Sequence, residues 1–298
     1  FMLEPASKDV IERILNLRHP TLTNPEIRTI ADFSEGNFRI ALALANTSRS
    51  GQSLANLRDS ELFNRLFRQK NEDDPALLRG AKICSLVYSF DVETSEGDKT
   101  ELPLLAALAG QSVSEFHGHV AELKRRQLVQ VRARWRALLP HALAHRLANL
   151  ALEDLPPGDI QTFVEAAPER LLKSFSRRLG CLHDSAHAQK IVGEWLASGG
   201  MIAEVESLNP LGLVILDNVA PVHPEAALNA IQRATASSTG VVENNPNASA
   251  LVRLLRSLAY EPALFDEATR LIAEFARSKT QSNNMSDAVN VFKSLFHI

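Results

Sequence analysis

Val129-Gln130-Val131-Arg132-Ala133-Arg134-Trp135-Arg136 is the stretch that decides the fold. Val129, Val131, Ala133 and Trp135 alternate with polar or cationic residues, the period of a strand or short hairpin. Most other segments of the chain carry helical spacing instead. Upstream, residues 76–89 predict a helix, 91–100 a polar loop containing glycine, 102–109 a short helix, 110–112 a tight turn and 114–126 a longer helix. Downstream, Pro140 ends the alternation and 141–152 return to helical spacing.

Helix, short helix, turn, helix and hairpin is the order of a winged-helix module, placed at residues 71–155. The polar run Gln69–Pro75 reads as the linker before it, with Pro75 suited to a helix's first turn. Residues 1–70 predict three or four helices. One follows Ser7 with Val10, Ile14 and Leu17 on its face, a second runs 25–33, a third 37–46, and a fourth carries Leu62, Phe63, Leu66 and Phe67. Leu155-Pro156-Pro157-Gly158-Asp159 marks the next boundary. Residues 156–298 read as helices, several starting at a proline (Pro210, Pro224, Pro262). Leu251, Leu254, Leu255 and Leu258 form one apolar stripe. Leu264, Ala268, Leu271, Ile272 and Phe275 form a second, and Val289, Phe292, Leu295 and Phe296 a third. Stripes of this kind need covering neighbours, as in an irregular α-solenoid of HEAT-like helix pairs. The fold class is therefore mainly α: a helical bundle, a winged helix with a short β-hairpin, and a helical array. Trp195, Phe265 and Phe275 read as core, and 237–247, rich in Ser, Thr and Asn, as a mobile loop.

Composition bounds the class. At 45% hydrophobic and 22% charged residues, the chain is of globular type, without an apolar run of membrane-span length. Cys84 and Cys181 are too few for a disulfide scaffold and read as reduced thiols, so a cytoplasmic location is expected. Phe1-Met2 at one end and an apolar helical pattern at the other predict an internal piece of a longer protein.

Within Ile30–Ala45 lies Gly36-Asn37-Phe38-Arg39. This resembles the helical lid of AAA+ and STAND-type NTPases, in which a Gly-Asn-x-Arg or Gly-Asp-x-Arg turn starts a helix; Phe38 stands where such lids commonly have proline. The segment Leu138-Leu139-Pro140-His141-Ala142-Leu143-Ala144 resembles the end of the STAND winged helix, so the resemblance covers residues 1–155. It implies that Arg39, with Asn37 beside it, senses nucleotide phosphates, a task suited to a permanently charged, forked guanidinium. No G-x-x-x-x-G-K-[ST] loop is present. Gly97-Asp98-Lys99-Thr100 is the nearest approach and fails the spacing. The resemblance therefore implies a partner in the chain's own upstream NTPase domain. ATP or ADP would be held by the full-length protein, with no cofactor in this segment and no catalysis by it.

Residues 123–152 carry seven basic side chains, Lys124, Arg125, Arg126, Arg132, Arg134, Arg136 and Arg146, and no Asp or Glu. Arg132, Arg134 and Arg136 share a face if the segment is extended, a disposition suited to phosphate or partner contact. Against nucleic acid stand the net charge of −3 and residues 114–122, which offer two acids and a glycine rather than a base-reading array. The pairs His141/His145 and His183/His187 have i, i+4 spacing but lack the glutamate and cysteine context of a zinc site, so no metal is expected.

These features predict the regulatory and interaction segment of a signal-transducing STAND-type NTPase of bacterial type, its helical array serving a protein partner or self-oligomerisation. The alternatives are a winged-helix DNA-binding transcriptional regulator with a helical sensing or dimerisation domain, and an adaptor scaffold without a nucleotide link.

Overall fold

The computed structural model describes residues 6–34, 36–47, 66–69, 72–94, 97, 100–237, 246–278 and 291. Among these it is mainly helical, with fourteen α-helices and a three-stranded antiparallel sheet. The chain divides into two compact units, Phe1–Leu171 and Leu172–Ile298.

Unit 1 opens with α1 (Lys8–Arg18), α2 (Asn24–Ser34) and α3 (Phe38–Thr47), each packed on the other two. Thr23 and Glu26 start α2. The Thr23 N–H and hydroxyl both donate to Glu26 Oε2, at 2.9 and 2.8 Å, as in a capping box. The buried face of α1 is Ile11 and Leu15, whereas Val10 is 44% and Leu17 85% exposed. This corrects the expected Val10–Ile14–Leu17 face. The apolar arc of α1 is wider than two neighbouring helices can cover, and its Ile11/Leu15 side meets them. Leu62 and Phe63 of the expected fourth helix lie outside the described residues. Leu66 and Phe67 are buried in a turn. The expected linker holds a small antiparallel pair, β1 (Arg68–Gln69) with β2 (Glu72–Asp73).

Asp74 then caps α4 (Pro75–Ser85) by accepting the Leu77 N–H at 2.8 Å, with Pro75 in the first turn. The helix stops at Ser85, short of the expected 89, and the chain enters β3 (Phe90–Asp91), which periodicity did not reveal. Two residues show no alternation, and Phe90 is fully buried. Next come α5 (Leu102–Leu108) and α6 (Val113–Arg125). Gly110, at φ +64°, ends α5: its N–H donates to Ala107 O at 2.9 Å and that of Gln111 to Ala106 O at 3.0 Å, a Schellman pattern. Ser112 and Glu115 form a capping box on α6.

β4 (Val129–Arg132) and β5 (Trp135–Leu138) pair antiparallel, from Val129 opposite Leu138 to Arg132 opposite Trp135. β5 also pairs with β3, so the sheet order is β3-β5-β4. The chain reverses at Ala133-Arg134, so Arg132, Arg134 and Arg136 do not share one strand face. The period-two pattern survives a two-residue turn and cannot locate it. α7 (His141–Asp154) packs broadly on α4, and α8 (Pro157–Ala166) on α5.

The division into units falls inside α9 (Glu169–Leu179). Unit 2 continues with α10 (Ala186–Leu196), α11 (Pro210–Val219), a 3₁₀ turn at Ala220–Val222, α12 (Pro224–Ser237), α13 (Ala248–Leu258), a second 3₁₀ turn at Pro262–Leu264 and α14 (Phe265–Ser278). The stripes of α13 and α14 are buried and these helices pack on each other. Pro210 and Pro224 start helices as expected, while Pro262 starts the 3₁₀ turn that leads into α14. Phe275 is fully buried, and Trp195 and Phe265 are half-buried. Trp195 meets Phe175 edge-on with ring centroids 6.1 Å apart. Gly180 allows a close backbone approach, because a Cβ there would lie 2.1 Å from Asn218 O. Of the expected loop at 237–247, residues 238–245 lie outside the described residues. Asn247 is anchored by its side-chain amide to Glu206 O and Leu208 O at 3.3 and 2.9 Å. Of the third stripe, Val289, Phe292, Leu295 and Phe296 lie outside the described residues. No helix among the described residues is long and apolar enough to cross a membrane.

Candidate functional site

The start of α3 is built by local chemistry. Gly36 sits at φ +83°, a conformation open to glycine at little cost, and its carbonyl accepts the Ala6 N–H at 3.1 Å. Asn37 donates its N–H to Ser34 O at 2.7 Å. Its side-chain Oδ1 accepts the N–H groups of Arg39 at 3.1 Å and Ile40 at 3.5 Å, the geometry of an N-cap. Asn37 is thus occupied in starting the helix. The buried run Ile40–Ala45 anchors α3 in the bundle. Arg39 lies in its first turn, half-buried, and among the described residues its guanidinium has no ion pair.

The basic tract looks different. Arg125 and Arg126 both bond Glu122, with Nε–O distances of 2.8 Å. Arg126 also donates to Leu66 O at 2.8 Å, tying α6 to the chain ahead of β1. Burial pushes the Glu122 carboxyl up, but the bonds and charges of the two arginines outweigh it and hold it below its usual value. Arg134 Nε lies 3.3 Å from Asp91 Oδ2. Arg136 donates to Ala133 O at 2.7 Å and Trp135 O at 3.1 Å, and faces Glu93 at 3.9 Å. Of Lys124, Arg125, Arg126, Arg132, Arg134 and Arg136, only Lys124 and Arg132, both exposed, lack an ion pair among the described residues. The acids that appeared to spoil α6 are themselves engaged, Glu115 with Ser112 and Glu122 with the arginines. A tract free of acids in sequence is therefore partly balanced in space, by Glu122 just outside its limits and by Asp91 and Glu93 far upstream in the chain.

Around the sheet the structure assembles a cluster that sequence reading missed. Glu101, 2% exposed, accepts the Asp91 N–H at 2.6 Å and both Nε and Nη2 of Arg170, the latter at 2.5 Å. Arg170 also donates to Ser89 O at 2.7 Å and Ser89 Oγ at 3.2 Å. Its guanidinium carbon lies 4.4 Å from the Trp135 ring centroid, and that of Arg134 lies 4.7 Å from it. Asp91 accepts the Thr94 hydroxyl at 2.7 Å and the Glu93 and Thr94 N–H groups at 2.8 and 3.2 Å. Burial pushes the Asp91 carboxyl up, but these bonds and the Arg134 charge prevail and leave it below its ordinary 3.8. Arg170 lies 69 residues from Glu101 and 81 from Ser89, a separation that no local pattern encodes.

The remaining candidates give less. His141 and His145 share α7, where His141 stacks on Tyr88 at 5.1 Å and lies 3.3 Å from its hydroxyl. His183 and His187 do not share a helix, because Ser185 caps α10 between them. Among the described residues no three His, Cys, Asp or Glu groups could hold a metal. Full burial pushes the Cys84 thiol far up, so it is a packing group rather than a nucleophile. A cleft of about 550 Å³ between α4, α5, α7 and α8 is lined by Arg79, Lys82, Asp154 and Asp159 among others, with Lys82 and Asp154 paired at 2.6 Å. Its two cations and two carboxylates offset each other. Compared with protein-family models, curated proteins and solved structures, the chain has no match.

Proposed function

We propose that the chain is the regulatory and interaction segment of a signal-transducing STAND-type NTPase acting in the cytoplasm. On this reading residues 1–70 form a sensor lid, 71–155 a winged helix, and 156–298 a helical array that serves as partner or oligomerisation platform. The observation that carries the reading is Arg39: a half-buried arginine in the first turn of a capped helix, without an ion pair among the described residues. Such a group suits an anion brought by another domain. The order α4-β3-α5-α6-β4-β5 with sheet order β3-β5-β4 supports the winged-helix assignment.

The segment supplies a guanidinium and a lid but no phosphate loop, so catalysis and the nucleotide's magnesium belong to an upstream core. A charged hydrogen bond is worth about 1.5–3 kcal/mol. In a protein carrying that core, Arg39→Ala should weaken nucleotide binding roughly tenfold or more. Titration of ADP into the paired full-length proteins tests this, and equal affinities would contradict the reading. The intervening Asn37 contributes by fixing the helix start, so Asn37→Asp, which keeps the cap, should leave affinity within a few-fold of wild type.

A further inference from the structure

We propose that Arg170 is a clasp by which the first turn of α9 holds the three-stranded sheet closed, and that its withdrawal releases β3, the hairpin turn and Trp135 together. The sheet is small: β3 contributes only Phe90 and Asp91, paired with Arg136 and Trp135. So short a strand pairing is weak by itself. What fixes it is a chain of contacts converging on one guanidinium. Arg170 grips the carbonyl and hydroxyl of Ser89, the residue just before β3. It grips both oxygens of Glu101, and Glu101 in turn holds the Asp91 N–H within β3. It covers one face of Trp135 on β5, while Arg134, held by Asp91, packs on the same indole.

The fork of the guanidinium is needed for this. Nε and Nη2 serve the carboxylate while Nη1 and Nη2 reach Ser89, so a single ammonium could not satisfy the set. The two partners of the ion pair also differ in exposure. Glu101 is 2% exposed, whereas Arg170 is 35% exposed. Water reaches the arginine and not the carboxylate, so the arginine is the member that can leave, and its departure strands a buried charge. The hairpin adds a bias toward opening, since its turn holds Ala133 at φ +49°, a conformation disfavoured for a residue with a Cβ. Closure of the hairpin is thus conditional on the docking of α9's first turn, which makes a helix two elements beyond α7 in the chain the controller of the hairpin.

The test is amide hydrogen exchange on the whole chain, comparing wild type with Arg170→Gln, Arg170→Lys, Glu101→Gln and the Arg170→Gln/Glu101→Gln pair. Both Arg170 variants should raise exchange of amides in 90–94 and 129–138 by about tenfold or more, while α1–α3 and unit 2 stay within about twofold, as for a local opening. The double variant, free of a stranded charge, should exchange more slowly than Arg170→Gln. In a Trp195→Phe background, where Trp135 is the remaining tryptophan, its emission should shift to the red in Arg170→Gln. Unchanged exchange in the sheet would overturn the proposal. So would a rise spread evenly over unit 1, or full protection in Arg170→Lys. Should Arg170→Gln fail to fold, Arg170→Lys and Glu101→Gln carry the same comparison.

Discussion

Arg39 and the arginines of the β4–β5 hairpin sit in the same unit and present opposite situations. The hairpin looks, residue by residue, like the most cationic surface of the chain, yet Arg134 and Arg136 face Asp91 and Glu93, and neighbouring Arg125 and Arg126 share Glu122. Arg39 is a lone cation in an apolar stretch, and among the described residues it has no ion pair. The difference teaches that density of positive charge along a chain does not measure charge available to a partner. Acids from other elements decide that, and they are invisible within the window being read. Arg134 and Arg136 are tied to acids beside the sheet, whereas Arg39, like the exposed Arg132, has no ion pair among the described residues.

The largest effect expected from disturbing the hairpin side comes from Arg170→Ala. Removing one member of a buried pair costs about 3–5 kcal/mol, and because Arg170 is partly solvated about 2–3 kcal/mol is expected here. Urea unfolding followed by circular dichroism reads this, and a loss below about 0.5 kcal/mol would show that the cluster is incidental to the sheet. Next, on the α3 side, Asn37→Ala should cost about 1 kcal/mol through loss of the cap, measurable as a lowered thermal midpoint. An unchanged midpoint would mean that the turn at Gly36 starts the helix without help.

Acid supplies a smaller probe of the same contrast. The Asp91 carboxyl lies below its ordinary value when folded. Its contribution is therefore present above about the ordinary 3.8 and is lost as pH falls through the lower folded value. Asp91→Asn should remove that part of the acid sensitivity while α3 is unaffected. Unfolding midpoints measured from pH 5 downward give the comparison, and an identical acid slope in the variant would contradict it. Smaller again, Ala133→Gly should add about 0.5 kcal/mol by relieving the positive φ, less than the full penalty because glycine loses more entropy on folding.

Much of the architecture was legible beforehand, for identifiable reasons. The stripes of α13 and α14, the proline starts of α4, α11 and α12 and the hairpin all rest on local spacing. What was missed rests on distance or on choice among equals. The buried face of α1 was misjudged because Val10, Ile14 and Leu17 lie at helical spacing just as Ile11, Ile14 and Leu15 do, and only the neighbours decide. β3 went unseen because Phe90 and Asp91 are too few to show a period. Arg170 and Glu101 could not be paired because nothing local relates residues 69 apart. Arg39 and Asn37, by contrast, were placed together by a contiguous motif; Asn37 caps α3, and Arg39 lies half-buried in its first turn.

The smallest stability change is expected at Arg39, and it tests the contrast most directly. Arg39→Ala should be compared with wild type by equilibrium urea unfolding of this chain. On the proposed sensor reading, a side chain without an ion pair among the described residues should change stability by less than about 0.5 kcal/mol with an unchanged m value. A loss above about 2 kcal/mol would make Arg39 a structural residue like the hairpin arginines, and the sensor reading would lose the observation on which it stands.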